Sequence, residues 1–437
     1  MTDLLHTLDL RGRPVVKAAL PAPTRPSEGP VEEVRAILDD VRARGDAALR
    51  DLTQRFDGVL VDDLRVQPAE IAAAHRRLDP EVGAALAAAR DAILDFHRCE
   101  APRPHDYERD GIRVRSVPQP VDRAGLYVPG GLAAYPSTVL MTALPARAAG
   151  VEDLMMCAPP GPQGQLPDAV LAAAHLCGID EVVRVGGAQA VGAMAYGTAT
   201  VAPVDVIAGP GNVYVATARQ LVAGEVRVAA AFAGPSEIVV VADGSTPVTS
   251  AAVDLVVQAE HGPGGRAWLI TWEPQVAAAV NVEVAAIVAA SPRRDETLAT
   301  LSGGGYVAIV DGPAHAADLV NEIAPEHLQL MNADPDAVLD GVRHAGAVFV
   351  GPWSAASIGD YYAGPSHVLP TAGTARFAGA LTVEDFQKRM HVIEVSHAGF
   401  LAARVPVATL ATVEGLSAHA DSVLRREEWA EQGTVAT

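Results

Sequence analysis

The chain has 437 residues, 49% of them apolar and 20% charged. That is material for two or three domains with full cores, which excludes a disordered or fibrous chain. Thirty-three Lys and Arg against 53 Asp and Glu leave a net charge of −20. Such a field repels nucleic-acid phosphates and anionic membranes, so neither is expected as a partner.

In chain order, the first residues carry Asp3, His6 and Asp9, with no basic start and no apolar segment, so they do not read as a signal peptide. Val31, Val34, Leu38, Val41, Leu49, Leu52 and Phe56 recur at helical spacing until Asp57-Gly58 stops them. A second helical stretch runs from about Pro80 to His97. From Ala124 the pattern becomes short apolar strands alternating with Ala-rich helices: Gly125–Val128, Leu154–Ala158, Val182–Val185 and Asp205–Ala208. It resumes at Ile238–Val241, Trp268–Thr271, Val307–Val310 and Ala347–Val350. Two such series predict two α/β domains with mainly parallel, doubly wound sheets. Beyond about residue 390 the chain reads as a helical tail that braces a dimer. No apolar run is long enough to cross a bilayer, because Arg147, Asn281 and Glu283 interrupt the longest. Cys99, Cys157 and Cys177 are too few and too scattered for a disulfide framework or a thiolate metal site, and the chain is expected in the cytoplasm.

Three Gly-rich turns follow strands in the first series: Tyr127-Val128-Pro129-Gly130-Gly131, Gly186-Gly187-Ala188-Gln189 and Gly209-Pro210-Gly211-Asn212. None is a strict G-x-G-x-x-G, since Tyr214 stands where the third glycine would be. Together they still mark a ligand crevice at strand ends. Thr246-Pro247 reads as N-cap and first residue of a helix that ends with Gln258-Ala259-Glu260-His261. Gln258 and His261, three apart, share a face and could hold a metal, although a His there also suits the helix dipole. Glu326 and His327 are adjacent. In an extended segment they point to opposite sides, which favours two separate proton-transfer tasks over a dyad, and a surface Glu beside a satisfied His is the plainer alternative. Asp360 and His367 lie in a Gly/Pro-rich loop, and Glu414 and His419 near the C-terminus. Spacing alone reaches an α/β enzyme with a metal as an option.

Taken together, these segments resemble the histidinol dehydrogenase family from about residue 25 to 425. The resemblance is carried by Gly125–Gly131, Gly186–Ala190, Gly209–Asn212, Ala233-Gly234-Pro235-Ser236-Glu237, Gln258–His261, Ala324–Leu328, Gly359-Asp360-Tyr361, His367–Thr371 and Glu414–His419. It implies NAD-dependent, four-electron oxidation of L-histidinol to L-histidine through the aldehyde, with two NAD per turnover. It implies one zinc ion per subunit, held by Gln258, His261, Asp360 and His419. Glu326 would activate water and His327 would take the alcohol proton. Ser236, His367 and Glu414 would join the four zinc ligands and His327 in contacting substrate. Tyr127, Gln189 and Asn212 would contact the cofactor.

The implied fold is an intertwined homodimer of two incomplete Rossmann-like domains, with Glu414 and His419 supplied by the partner subunit. Its expected parts are an N-terminal extension, 1–25; a discontinuous zinc and substrate domain, 26–125 and 237–381; a cofactor domain, 126–236; and a mainly helical extension, 382–437. Ala230 departs from an Asp frequent in the family, and Pro365-Ser366 from Thr-Asn. Rival readings are a related zinc- and NAD-dependent dehydrogenase of another primary alcohol, such as a sulfonated diol, and a zinc hydrolase, which would leave the Gly-rich turns without a purpose.

Overall fold

The computed structural model describes residues 4–15, 20–21, 29–130, 134–230, 234–262 and 264–431. Parts of the expected N-terminal extension, residues 1–3, 16–19 and 22–25, lie outside them, as do Gly131, Ala233 and residues 432–437. The chain forms two compact units, residues 1–101 with 121–386, and residues 102–120 with 387–437.

The first unit holds two six-stranded sheets. One, the Tyr127 sheet, runs in the order Arg65–Val66, Glu181–Val183, Asp153–Cys157, Arg123–Tyr127, Val206–Ala208, Arg227–Val228. It is parallel except at the Arg65–Val66 edge. The other, the His327 sheet, runs His6–Asp9, Gly305–Ile309, Arg266–Thr271, Glu237–Val241, His327–Leu330, Ala347–Val350, parallel throughout. Helices cover both faces of each sheet, which is why central strands such as Glu237–Val241 are buried along their whole length. In each sheet the chain lays strands outward in one direction, then returns to the middle and proceeds the other way. The reversal falls between Arg123–Tyr127 and Val206–Ala208 in one sheet, and between Glu237–Val241 and His327–Leu330 in the other.

Three features differ from the sequence expectation. The 31–56 periodicity is two helices, Val31–Arg44 and Asp46–Asp57, because Gly45 turns the chain with φ 55. These helices, with Pro68–Arg77 and Pro80–Glu100, pack on the Tyr127 sheet: Leu38 shares a core with Val191, and Ile93 with Leu140. The expected grouping of 26–125 with 237–381 does not match that packing. An apolar stripe shows which face a helix buries, and does not show against what.

The third difference is in the second unit. Its strand Gln387–Val395 pairs antiparallel with Ile112–Pro120, which also pairs with His105–Arg109. Only then come the helices His397–Val413 and Ser417–Glu431. Most of that strand is exposed, so it lacks the alternating burial that would betray it in the sequence.

Candidate active site

The two reversal points meet at one cavity of about 340 Å³, floored by Glu326 and His327 and walled by Gln258, His261, Asp360 and His367. Pro129, Gly130 and Asn212 also line a second cavity of about 830 Å³, which holds Tyr127 and Gln189.

At the head of the His327 sheet, the backbone of Glu237 holds both members of the acid–base pair. Its N–H donates to Glu326 Oε2 at 2.8 Å, and its carbonyl lies 3.1 Å from His327 Nδ1. A carbonyl only accepts, so Nδ1 carries the hydrogen and Nε2 is the nitrogen left for chemistry. His327 Nε2 stands 3.5 Å from Asp360 Oδ1. Phe349 stacks on the imidazole at 5.8 Å. Gly359 lies so close to Phe349 that a Cβ would come within 2.6 Å of its ring, and this lets the Ala356–Tyr361 helix deliver Asp360. His367 Nδ1 in turn donates to the Asp360 carbonyl at 3.0 Å.

The electrostatics follow from burial and neighbours. Burial by itself would depress the His327 pKa, but the Glu326 charge and then the Asp360 carboxylate lift it to about 10. Burial would raise the Asp360 carboxyl, yet His327, and then the charges of His367 and His261, hold it below the usual range. Burial depresses the His367 pKa. Glu237 is pushed up to about 7 by burial and then by the Glu326 charge, and its Oε2 accepts from Ala372 N–H at 3.0 Å.

Several expectations are refined. Glu326 precedes the strand rather than lying in it, so it does not oppose His327: Oε2 is 3.4 Å from Nδ1. Pro247, and not Thr246, occupies the N-cap of the Val248–Ala259 helix. The Thr246 hydroxyl instead accepts from Asp243 N–H and donates to the Met331 carbonyl. Ser366 anchors the His367 loop by donating to the Met141 carbonyl at 2.9 Å. Ser236 borders the smaller cavity. Glu414 and His419 belong to the second unit, where both are exposed beside the Gly415 turn. Glu237 and Phe349 were missed as site residues. Glu237 left a signal, a charge at the head of an otherwise apolar strand.

For a divalent cation the first unit offers an amide, an imidazole and a carboxylate in Gln258, His261 and Asp360. Gln258 is 1% exposed, its amide nitrogen has no hydrogen-bond partner, and its amide oxygen is the atom that would ligate a cation. The donor set fits zinc, which accepts nitrogen and oxygen ligands. Among the described residues no three of His, Cys, Asp and Glu converge, in keeping with only two such residues in this set.

The Tyr127 sheet positions the other candidates. Tyr127 is buried, and its hydroxyl accepts from Gly187 N–H at 3.1 Å. Gln189 is 1% exposed with Oε1 unpartnered. Asn212 Oδ1 accepts from Tyr214 and Val215 N–H, capping the Val213–Val222 helix. Its amide nitrogen is therefore the group available to a ligand. Gly209 has φ 122, and a Cβ there would come 2.1 Å from the Tyr127 carbonyl. Beneath this turn lies Arg219, fully buried, donating to the carbonyls of Gly209 (2.5 Å), Ala229 and Ala230 (2.7 Å). Burial draws its pKa down to about 10. Ala230 adopts φ 44, a conformation that suits Asp or Asn better than Ala.

The family model described as Histidinol dehydrogenase matches residues 22–427. Histidinol dehydrogenase of Prochlorococcus marinus is 47% identical over 90% of this chain and 89% of its own. That of Geobacillus kaustophilus is 45% identical over 92% of this chain and 95% of its own. The crystal structure of histidinol dehydrogenase from Elizabethkingia anophelis superposes with a TM-score of 0.92 at 31% identity, covering 99% of this chain and 100% of that one. Fold, site and relatives define an α/β enzyme of the oxidoreductase class. More narrowly, the chain belongs to the histidinol dehydrogenase family.

Proposed function

We propose that the chain oxidises L-histidinol to L-histidine through the aldehyde, in two hydride transfers to two NAD. The observation that carries this reading is the single cavity in which Gln258, His261, Asp360, Glu326, His327 and His367 meet the Gly130 and Asn212 turns. A bound zinc ion, held by Gln258, His261, Asp360 and His419, would grip the substrate's imidazole and amine and orient its carbinol.

The chain's own residues supply the rest. The Glu237 carbonyl fixes the His327 tautomer, so that Nε2 accepts the alcohol proton as hydride departs. His327 must begin that step neutral, which requires the charges of both Glu326 and Asp360 to be offset by other partners. Glu326, oriented by the Glu237 N–H, activates the water that hydrates the aldehyde. Ser236, His367 and Glu414 hold the substrate. Tyr127, Gln189 and Asn212 hold the cofactor on the Tyr127 sheet, the role expected for 126–236. The cofactor's pyrophosphate suits the helix N-termini there.

His419 and Glu414 are assigned to a homodimer's shared site. Leu410 and Val413, 64% and 81% exposed, support an apolar cover from a second copy. No described helix is long and apolar enough to cross a membrane, and we place the enzyme in the cytoplasm. The deciding experiment supplies L-histidinol, zinc and excess NAD and counts NADH formed. Two NADH per alcohol, with histidine as product, is expected. A ratio of one would mean that oxidation stops at the aldehyde, and no reaction with L-histidinol would point to a dehydrogenase of a different primary alcohol.

A further inference from the structure

Asp57 ends the Asp46–Asp57 helix, ahead of Gly58 in the left-handed conformation, and lines the 830 Å³ cavity beside Phe56. Three features make a carboxylate unfavourable there. The C-terminal end of a helix favours cations. Oδ2 is buried without a hydrogen-bond partner. Burial, with nothing opposing it, raises the carboxyl pKa. A polar group left in this state weakens the folded protein until something arrives to satisfy it.

The walls indicate what arrives. Among the described residues lining this cavity Asp57 is the one charged side chain; none is Lys or Arg. An anionic group on that wall would meet repulsion and no counter-charge. A neutral donor would meet a carboxylate acceptor and no repulsion. Tyr127 feels the Asp57 charge, which places the two side chains near each other. Phe56 is half exposed and offers a flat apolar face next to the carboxylate. Asn212 and Gly130 border both cavities, whereas Asp57 and Phe56 border the larger one alone. They therefore mark the end of the crevice remote from His327.

Building on the NAD reading proposed above, we infer that Asp57 accepts hydrogen bonds from the adenosine ribose hydroxyls, with Phe56 against the adenine, and so excludes a 2′-phosphate. The enzyme then takes NAD and rejects NADP. In doubly wound dehydrogenases an acidic residue some twenty positions after the Gly-rich turn commonly does this work. Here it comes from a helix that precedes the first central strand.

Binding without turnover tests this. Calorimetric titration of the full-length protein with ADP-ribose, and with ADP-ribose bearing a 2′-phosphate, should show the phosphorylated ligand binding at least roughly 100-fold more weakly. Asp57→Ala should weaken ADP-ribose by roughly 10–100-fold and bring the two ligands to similar affinity. Asp57→Asn, which keeps the shape and removes the charge, should narrow the discrimination while raising the melting temperature of the ligand-free protein. Unchanged affinity and discrimination in both variants would overturn the inference and leave NAD dependence standing. Failure of the unsubstituted protein to bind either NAD or ADP-ribose would overturn the NAD reading and the inference together.

Discussion

The two sheets present opposite edges to the same crevice. The Tyr127 sheet offers the C-terminal ends of its strands at its reversal point, the usual place for a ligand in an open parallel sheet. The His327 sheet offers the N-terminal ends of Glu237–Val241 and His327–Leu330. Edge direction sets the sign of the local field. At the first edge the Gly187–Tyr196 and Val213–Val222 helices begin, and the positive ends of their dipoles suit an anionic phosphate. At the second edge the Val248–Ala259 helix ends, and its last carbonyls together with Gln258 suit a cation. On the reading proposed above, glycine-shaped backbone joins side chains in recognition on one side, and side chains carry the chemistry on the other.

That division is open to test, beginning where the effect is largest. Replacing a reacting side chain on the His327 edge, His327→Asn, should reduce turnover by ~10²–10⁴-fold, about 3–5 kcal/mol of barrier, while bound zinc stays constant. Normal turnover would remove His327 from the proposed role. On the opposite edge the backbone is the vulnerable part. Gly209→Ala forces a Cβ onto the Tyr127 carbonyl at a strained φ. It should cost about 3 kcal/mol of stability or more, read by denaturant titration. A wild-type-like midpoint would show that the turn is not fixed by its backbone.

The third test sharpens the electrostatic contrast. Glu237 has a folded pKa of about 7 against an ordinary 4.5, so the folded state holds its proton more tightly than the unfolded chain. Its contribution to stability is therefore complete below pH 4.5 and is lost as pH rises through 7. The loss reaches about 3 kcal/mol at most. Glu237→Gln is neutral at every pH and keeps an acceptor for Ala372 N–H. Variant and parent should be alike near pH 4, with the variant more stable by pH 8. Parallel pH profiles would refute this account.

Strand–helix alternation made the two sheets legible from sequence, and residues of the Gly-rich turns line the two cavities. What escaped was whatever depends on a distant partner. The Leu38 and Ile93 stripes announce buried faces, and only tertiary packing assigns them to the Tyr127 sheet. The relation between Glu326 and His327 turned on a strand beginning one residue later than expected, and at period two a single residue reverses the side on which a group falls. Asp57 was read as helix punctuation, which it also is. Its exposure to a cavity appears only once residues 130 and 189 are brought opposite it.

Arg219 gives this arrangement a mechanical property. One guanidinium is fastened at once to the turn that closes Val206–Ala208 and to the chain leaving Arg227–Val228 toward Ser236, with no carboxylate against it among the described residues. The two loops share one bolt, so neither can be reshaped alone. Substitutions made in both will not combine as the sum of their separate effects.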